Sequence, residues 1–264
     1  MTWFLILAFM ATPAAAASIS AAELVDLPAA DVVILGEVHD NPAHHQHQAA
    51  VIRALRPTAV IWEMLTADQA ARMPEDRRDP VAVAQALAWD GTGWPDFALY
   101  QPVVEAAGRA AHYGAGVPRV QARRAFAEGA AAVFGRDALV FGLHTDLAAS
   151  EQAQREAIQF DAHCQAMPLD MMSGMVEAQR LRDASLARAT ILALRDSGGP
   201  VVVITGNGHA RTDWGVPAIL RQTDPDVRVV SVGQLEGSAG DAEPWDFWII
   251  TEPHPRGDPC AAFQ

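Results

Sequence analysis

Two short segments hold the residues best suited to chemistry, Gly36-Glu37-Val38-His39-Asp40 and Gly206-Asn207-Gly208-His209. Each directly follows a continuous apolar run, Val32-Val33-Ile34-Leu35 and Val201-Val202-Val203-Ile204. Such runs suit strands buried on both faces, and open parallel sheets gather ligands just past the carboxyl ends of their strands. Glu37 and His39 are two residues apart, so on extended backbone their side chains point the same way. Glu63 closes a third apolar run, Ala59-Val60-Ile61-Trp62. Neighbouring strands lie about 4.8 Å apart, so adjacency would bring a carboxylate, an imidazole and a second carboxylate to one sheet edge. His209 joins them if its strand is central. Glu37, His39, Glu63 and His209 could then do acid–base work or anchor a polar ligand, and Glu37, His39 and His209 could ligate a divalent metal.

Other residue types widen the choice. His44, His45 and His47 crowd the start of one helix, and their spacing is not that of a His-Glu-x-x-His zinc signature. They could line a pocket, add to a metal or haem site, or stay solvated. Met167, Met171, Met172 and Met175 recur at helical spacing, which suits either a soft core face or an adaptable apolar wall against a large flat ligand. Of the two tyrosines, Tyr100 ends the aromatic-rich stretch that begins at Trp94. A phenolate there could ligate ferric haem, and packing in the core or at a rim is the alternative.

The elements that must position these residues follow from pattern. Asn41-Pro42 supplies a helix cap and a first-turn proline, so a helix should run to about Leu55 and give a β-α-β unit with its strands parallel. Residues 66–113 read mostly as helices, and residues 117–122 as a third strand. Residues 138–141 fit a strand or a buried helix. Helical periodicity covers residues 150–160 and 169–195, ended by Ser197-Gly198-Gly199-Pro200. A short helix over residues 214–221 follows the central apolar run, then strands over residues 227–232 and 245–251, the last at an edge. The expected fold is α/β, a mostly parallel central sheet flanked by helices, with a helical insertion or lid over about residues 66–113 and 150–196.

Composition narrows the partners. The chain has 264 residues, a formal net charge of −13 and not one lysine, which argues against nucleic acid because phosphate binding needs a basic footprint. Residues 1–17 look like an apolar signal segment with a small-residue cleavage site, placing the mature chain at residues 18–264, periplasmic or secreted. No later apolar run approaches the roughly 20 residues of a membrane span. Cys164 and Cys260 could pair in an oxidising compartment or remain separate.

In this order, the Gly36 to Pro42 segment with His44-His45, strand-end Glu63, the Trp94 to Tyr100 loop, Gln179-Arg180-Leu181-Arg182-Asp183, and Gly206-Asn207-Gly208-His209 before Gly215-Val216-Pro217 resemble the ChaN-like haem-binding uptake family. The resemblance implies a single α/β domain, export, and a role in haem or iron acquisition, with haem held between helical parts of paired subunits. It implies a tyrosine ligand, for which Tyr100 is the candidate by position; His44, His45, Met171 and Met175 are candidate haem contacts by their spacing. The lipoprotein cysteine of some members is absent after the cleavage region, so a lipid anchor is not implied. The wider superfamily also includes erythromycin-esterase-like hydrolases and Tiki-type metalloproteases. By that likeness Glu37, His39, Glu63 and His209 would be catalytic or metal-binding residues of a hydrolase, the alternative to haem binding.

Overall fold

The computed structural model describes residues 16–258, 260 and 261; most of the expected signal segment lies outside the described residues. Seven strands form one parallel sheet: β1 (Ala17–Ser18), β2 (Val32–Glu37), β3 (Ala59–Trp62), β4 (Ala111–Gly114), β5 (Val201–Gly206), β6 (Val229–Glu236) and β7 (Phe247–Thr251). Their order across the sheet is β1-β7-β6-β2-β5-β3-β4. The β-α-β unit is parallel as expected, but its strands are not neighbours, because β5 pairs with β2 on one side and β3 on the other. The Val-Val-Val-Ile run of β5 is apolar on both faces and buried throughout, and only an interior position satisfies such a strand. This places the His209 segment between the Glu37 and Glu63 strand ends.

Alternation along β2 feeds two apolar layers. Val33 and Leu35 pack on one face with Trp62, Tyr100 and Val104, whereas Val32 and Ile34 face Ile61, Leu186 and Val203 on the other. Helix α1 (Pro42–Leu55) starts where Asn41 accepts from the Ala43 N–H at 2.9 Å and Pro42 takes the first turn. Helices α2 (Ala67–Ala70), α3 (Pro80–Ala86) and α4 (Gln101–Ala106) fill the connection from β3 to β4.

The strand expected at residues 117–122 is instead the start of α5 (Arg119–Glu128), and the pairing strand is β4, Ala-His-Tyr-Gly. Pro118 cannot donate to a ladder, and β4 escapes a sequence reading because an edge strand, only partly buried, need not be apolar. Residues 136–139 form a 3-10 turn, neither of the two forms expected there. Helices α6 (Ala130–Phe134), α7 (Ala149–Ala162), α8 (Met172–Ser197) and α9 (Val216–Thr223) complete the second layer, with α8 contacting β3, β4 and β5.

Among the described residues only the two-residue β1 lies outside β7, and the expected cleavage point between Ala17 and Ser18 falls within it. Cys164, just past α7, is bonded to Cys260 in the tail, with Cα atoms 5.4 Å apart. Among the described residues no helix is long and apolar enough to cross a membrane.

Candidate functional site

Glu37 ends β2 with its side chain fully buried. Oε1 accepts from the His39 ring Nδ1 at 2.7 Å and from the Tyr100 hydroxyl at 2.9 Å, and Oε2 accepts from the Gln48 amide at 2.6 Å. These donors fix His39 through Nδ1. Its Nε2 has no hydrogen-bond partner among the described residues and sits over Gly206, where a Cβ would come within 2.9 Å. Burial alone would depress the His39 pKa, but the Glu37 hydrogen bond and the charges of Glu63 and Glu37 outweigh it and raise the value.

The second strand-end acid makes a separate buried cluster. Glu63 Oε2 accepts from the Thr205 hydroxyl at 2.7 Å and from the Gly206 N–H at 2.8 Å. Its Oε1 lies 3.4 Å from His209 Nε2, and His209 Nδ1 is 2.6 Å from Asp183 Oδ1 on α8. An imidazole held between two buried carboxylates keeps its proton. Burial works against the charge, yet Glu63 and Asp183 push His209 up to about 10, and His209 in turn holds Glu63 well below the usual carboxylate range despite its burial.

Both clusters open on one cleft of about 820 Å³ at the carboxyl ends of β2, β3 and β5, the position at which parallel sheets bind ligands. Trp94 forms one wall, its ring edge-on to His39 at 4.8 Å between centroids. Met64 and Leu186 add apolar surface, and Arg119 and Arg182 add positive charge.

The structure therefore sets Glu37, His39, Glu63 and His209 on one cleft, and the other candidates do not line it. Tyr100 is fully buried; its hydroxyl is spent on Glu37, and burial with the nearby carboxylate pushes it far above an ordinary phenol. It is not presented to the cleft as an axial ligand. His44 and His45 are also fully buried. His44 accepts from the Val38 N–H at 2.8 Å and donates to the Thr251 hydroxyl at 2.9 Å, and burial depresses it to about 4. The Nε2–H of His45 donates to the His39 carbonyl at 3.0 Å. Both brace the loop after β2 and line no part of the cleft. Met171 and Met175 are partly exposed at the start of α8 and do not line the cleft, whose α8 wall is Gln179, Arg182 and Leu186.

The expected metal set does not assemble. His39 turns to Glu37 and His209 turns to Asp183 and Glu63, and among the described residues no three His, Cys, Asp or Glu side chains could hold a metal ion. Asp183, Gln48 and Thr205 were not singled out as site residues. Asp183 sits in the Gln179 to Asp183 stretch, where i,i+4 spacing puts both ends on one helix face. Gln48 and Thr205 leave no sequence signal, since each matters only through the acid it meets.

The fold and the cleft define an all-parallel α/β protein that gathers two buried carboxylate–imidazole pairs at the carboxyl ends of its central strands. The family model described as haem-binding uptake, Tiki superfamily, ChaN, matches residues 24–220, and the chain belongs to that family. Its fold is similar to a solved structure titled for cofacial heme binding to ChaN of Campylobacter jejuni, with a TM-score of 0.64 and 19% identity over 84% of this chain and 88% of that one. Two further solved structures match with lower scores. The type III effector HopBA1 has a TM-score of 0.45 and 13% identity over 89% of this chain and 92% of the other. An erythromycin esterase, EreC, in its open conformation has a TM-score of 0.42 and 16% identity over 82% and 75%. No curated protein matches the sequence.

Proposed function

We propose that this chain is an exported haem-binding protein serving haem or iron uptake, with haem carried in the cleft and its iron held by His39 Nε2. The observation that carries the assignment is the His39 ring itself. Its Nδ1 is anchored on a buried carboxylate while its Nε2 is free of protein partners, the arrangement in which an imidazole makes a well-oriented iron ligand. His39 replaces Tyr100 in this role because the Tyr100 hydroxyl is buried and spent on Glu37. The apolar walls at Trp94, Met64 and Leu186 suit a flat ring. Export is supported by the signal-like N-terminus and by the Cys164–Cys260 bond, which belongs to an oxidising compartment. The cofacial binding named for the Campylobacter protein would need a second copy of this chain to close over the cleft.

Hemin titration of residues 18–264, followed by visible absorbance, tests the reading. Wild type is expected to bind saturably, His39→Ala to lose at least tenfold in affinity, and Tyr100→Phe to retain the absorption spectrum. The raised His39 pKa sets the pH dependence. Iron and proton compete for Nε2, so affinity should rise with pH and level off above that pKa. A pH-independent affinity, or one unchanged in His39→Ala, removes His39 from the iron.

The second cluster favours one other reading. Two carboxylate–imidazole pairs exceed what an iron ligand needs, and they suit a hydrolase in which His39 acts as general base while His209, with both ring nitrogens on Asp183 and Glu63, fixes the Glu63 side of the cleft. Turnover of p-nitrophenyl esters by wild type, abolished in both His39→Ala and His209→Ala, would establish it; equal background rates in all three would dismiss it.

A further inference from the structure

Glu37 is balanced by His39, and Glu63 and Asp183 share the protonated His209. That leaves Arg119, the first residue of α5, and Arg182, on α8, as cleft cations with no acid in reach among the described residues. Their contacts are weak. The Arg119 guanidinium reaches the Thr92 carbonyl at 3.5 Å, and the Arg182 guanidinium reaches the Gln179 amide oxygen at 3.4 Å. The chain has 32 acidic residues against 19 arginines. Arg124, Arg180, Arg211 and Arg228 each hold a carboxylate at 2.6–2.8 Å. Other arginines also lack an ion pair, but Arg119 and Arg182 are set apart by lining together the cleft that holds His39, a place where the acid comes from the ligand.

The remaining walls fix what else that ligand must be. Trp94, Met64, Val117 and Leu186 give the cleft apolar and aromatic surface beside Thr66, Gln69 and Asn207, which suits a flat, largely apolar molecule with acid groups at its margin. We infer that Arg119 and Arg182 are carboxylate anchors, and that the cleft selects tetrapyrroles by their two propionates, with or without iron. The inference rests on the haem-binding reading and adds its specificity determinants. The Arg119 guanidinium packs over Gly93, in the space a Cβ there would fill, and its one hydrogen bond is the long contact to the Thr92 carbonyl. It can therefore swing toward a propionate without breaking a strong contact.

The test is a titration of wild type, Arg119→Gln, Arg182→Gln and the double variant with hemin, iron-free protoporphyrin IX and protoporphyrin IX dimethyl ester. Protoporphyrin IX should bind wild type, more weakly than hemin because it lacks the His39–iron bond. The dimethyl ester should lose about tenfold or more relative to the free acid, and each arginine variant should weaken free-acid binding by about tenfold, as for lost charge-assisted hydrogen bonds. The double variant should bind ester and acid alike. The ester comparison uses wild type alone, so it stands even if a variant misfolds. Equal affinity of wild type for acid and ester, or full hemin affinity in the double variant, overturns the anchors while the haem reading survives. If neither hemin nor protoporphyrin IX binds wild type, the haem reading falls and the anchors fall with it.

Discussion

At the scale of single residues, the site is a set of charges that are safe only in company. His209 is 4% exposed and Glu63 is 7% exposed, and removing one member of such a cluster leaves the others buried and uncompensated. His209→Gln should therefore cost roughly 3–5 kcal/mol of stability, measured by chemical denaturation at neutral pH. The pH dependence has a definite sign. The folded pKa of His209, about 10, lies above its unfolded value near 6.5, so its contribution is complete below about pH 6.5 and fades as pH rises through about 10. Glu63 is depressed, so its contribution is present above its unfolded value near 4.5 and is lost on acidification. Wild type should be least stable at both extremes, and His209→Gln should lose most of the alkaline decline. A variant whose melting temperature tracks wild type across this range would show the cluster to be inert. The convergence of Glu37, His39, Glu63 and His209 was legible because each follows a buried apolar run, although any one of them alone suits ordinary packing or pairing. That Tyr100, His44 and His45 are buried and hydrogen-bonded was not legible, because burial is a property of the fold.

At the scale of elements, the site depends on α1 as much as on the strands, since α1 supplies Gln48 to Glu37 and His45 to the His39 carbonyl. Asn41 governs its start. The side-chain oxygen caps the helix, and the amide nitrogen donates to Glu236 at 2.6 Å on β6. Asn41→Ala should cost about 1–2 kcal/mol from the lost cap and weaken ligand binding modestly by freeing the loop that carries His39. Asn41→Asp should keep the cap but set a second carboxylate against Glu236, so it should destabilise more at neutral pH than at pH 3. Thermal melts of the two variants at both pH values separate these effects, and identical behaviour would show that the Glu236 contact contributes nothing. The cap, like β2, β3 and β5, was readable because local chemistry and tertiary packing agree there. The strand order was not, because nothing local says that β5 inserts between β2 and β3, and β4 was hidden by its polar edge composition.

At the scale of the whole molecule, one covalent bond ties the walls of the cleft together. Helix α8 supplies the Gln179 and Arg182 wall, and the segment leading into it carries Cys164. The tail beyond β7 carries Arg256, which bridges Asp40, next to His39, and Glu236, before it reaches Cys260. The bond joins positions 96 residues apart, so in the chain-entropy picture it removes much of the freedom of the unfolded state, and its loss should cost roughly 2–5 kcal/mol. Sequence alone could count the two cysteines but not show that they meet, since that depends on where the tail runs. Reductant should lower the melting temperature of wild type by several degrees and leave a Cys164→Ser/Cys260→Ser double variant unchanged. Hydrogen exchange then locates the effect. With the bond reduced, residues 252–261 and the α7–α8 connection should exchange faster, whereas β2 and β5, buried from end to end, should keep their protection. If reduction speeds exchange throughout the sheet, the bond holds up the fold itself; if it changes nothing, the tail is held by Arg256 and by the contacts of Glu252 and His254 with Asn41 and Glu236.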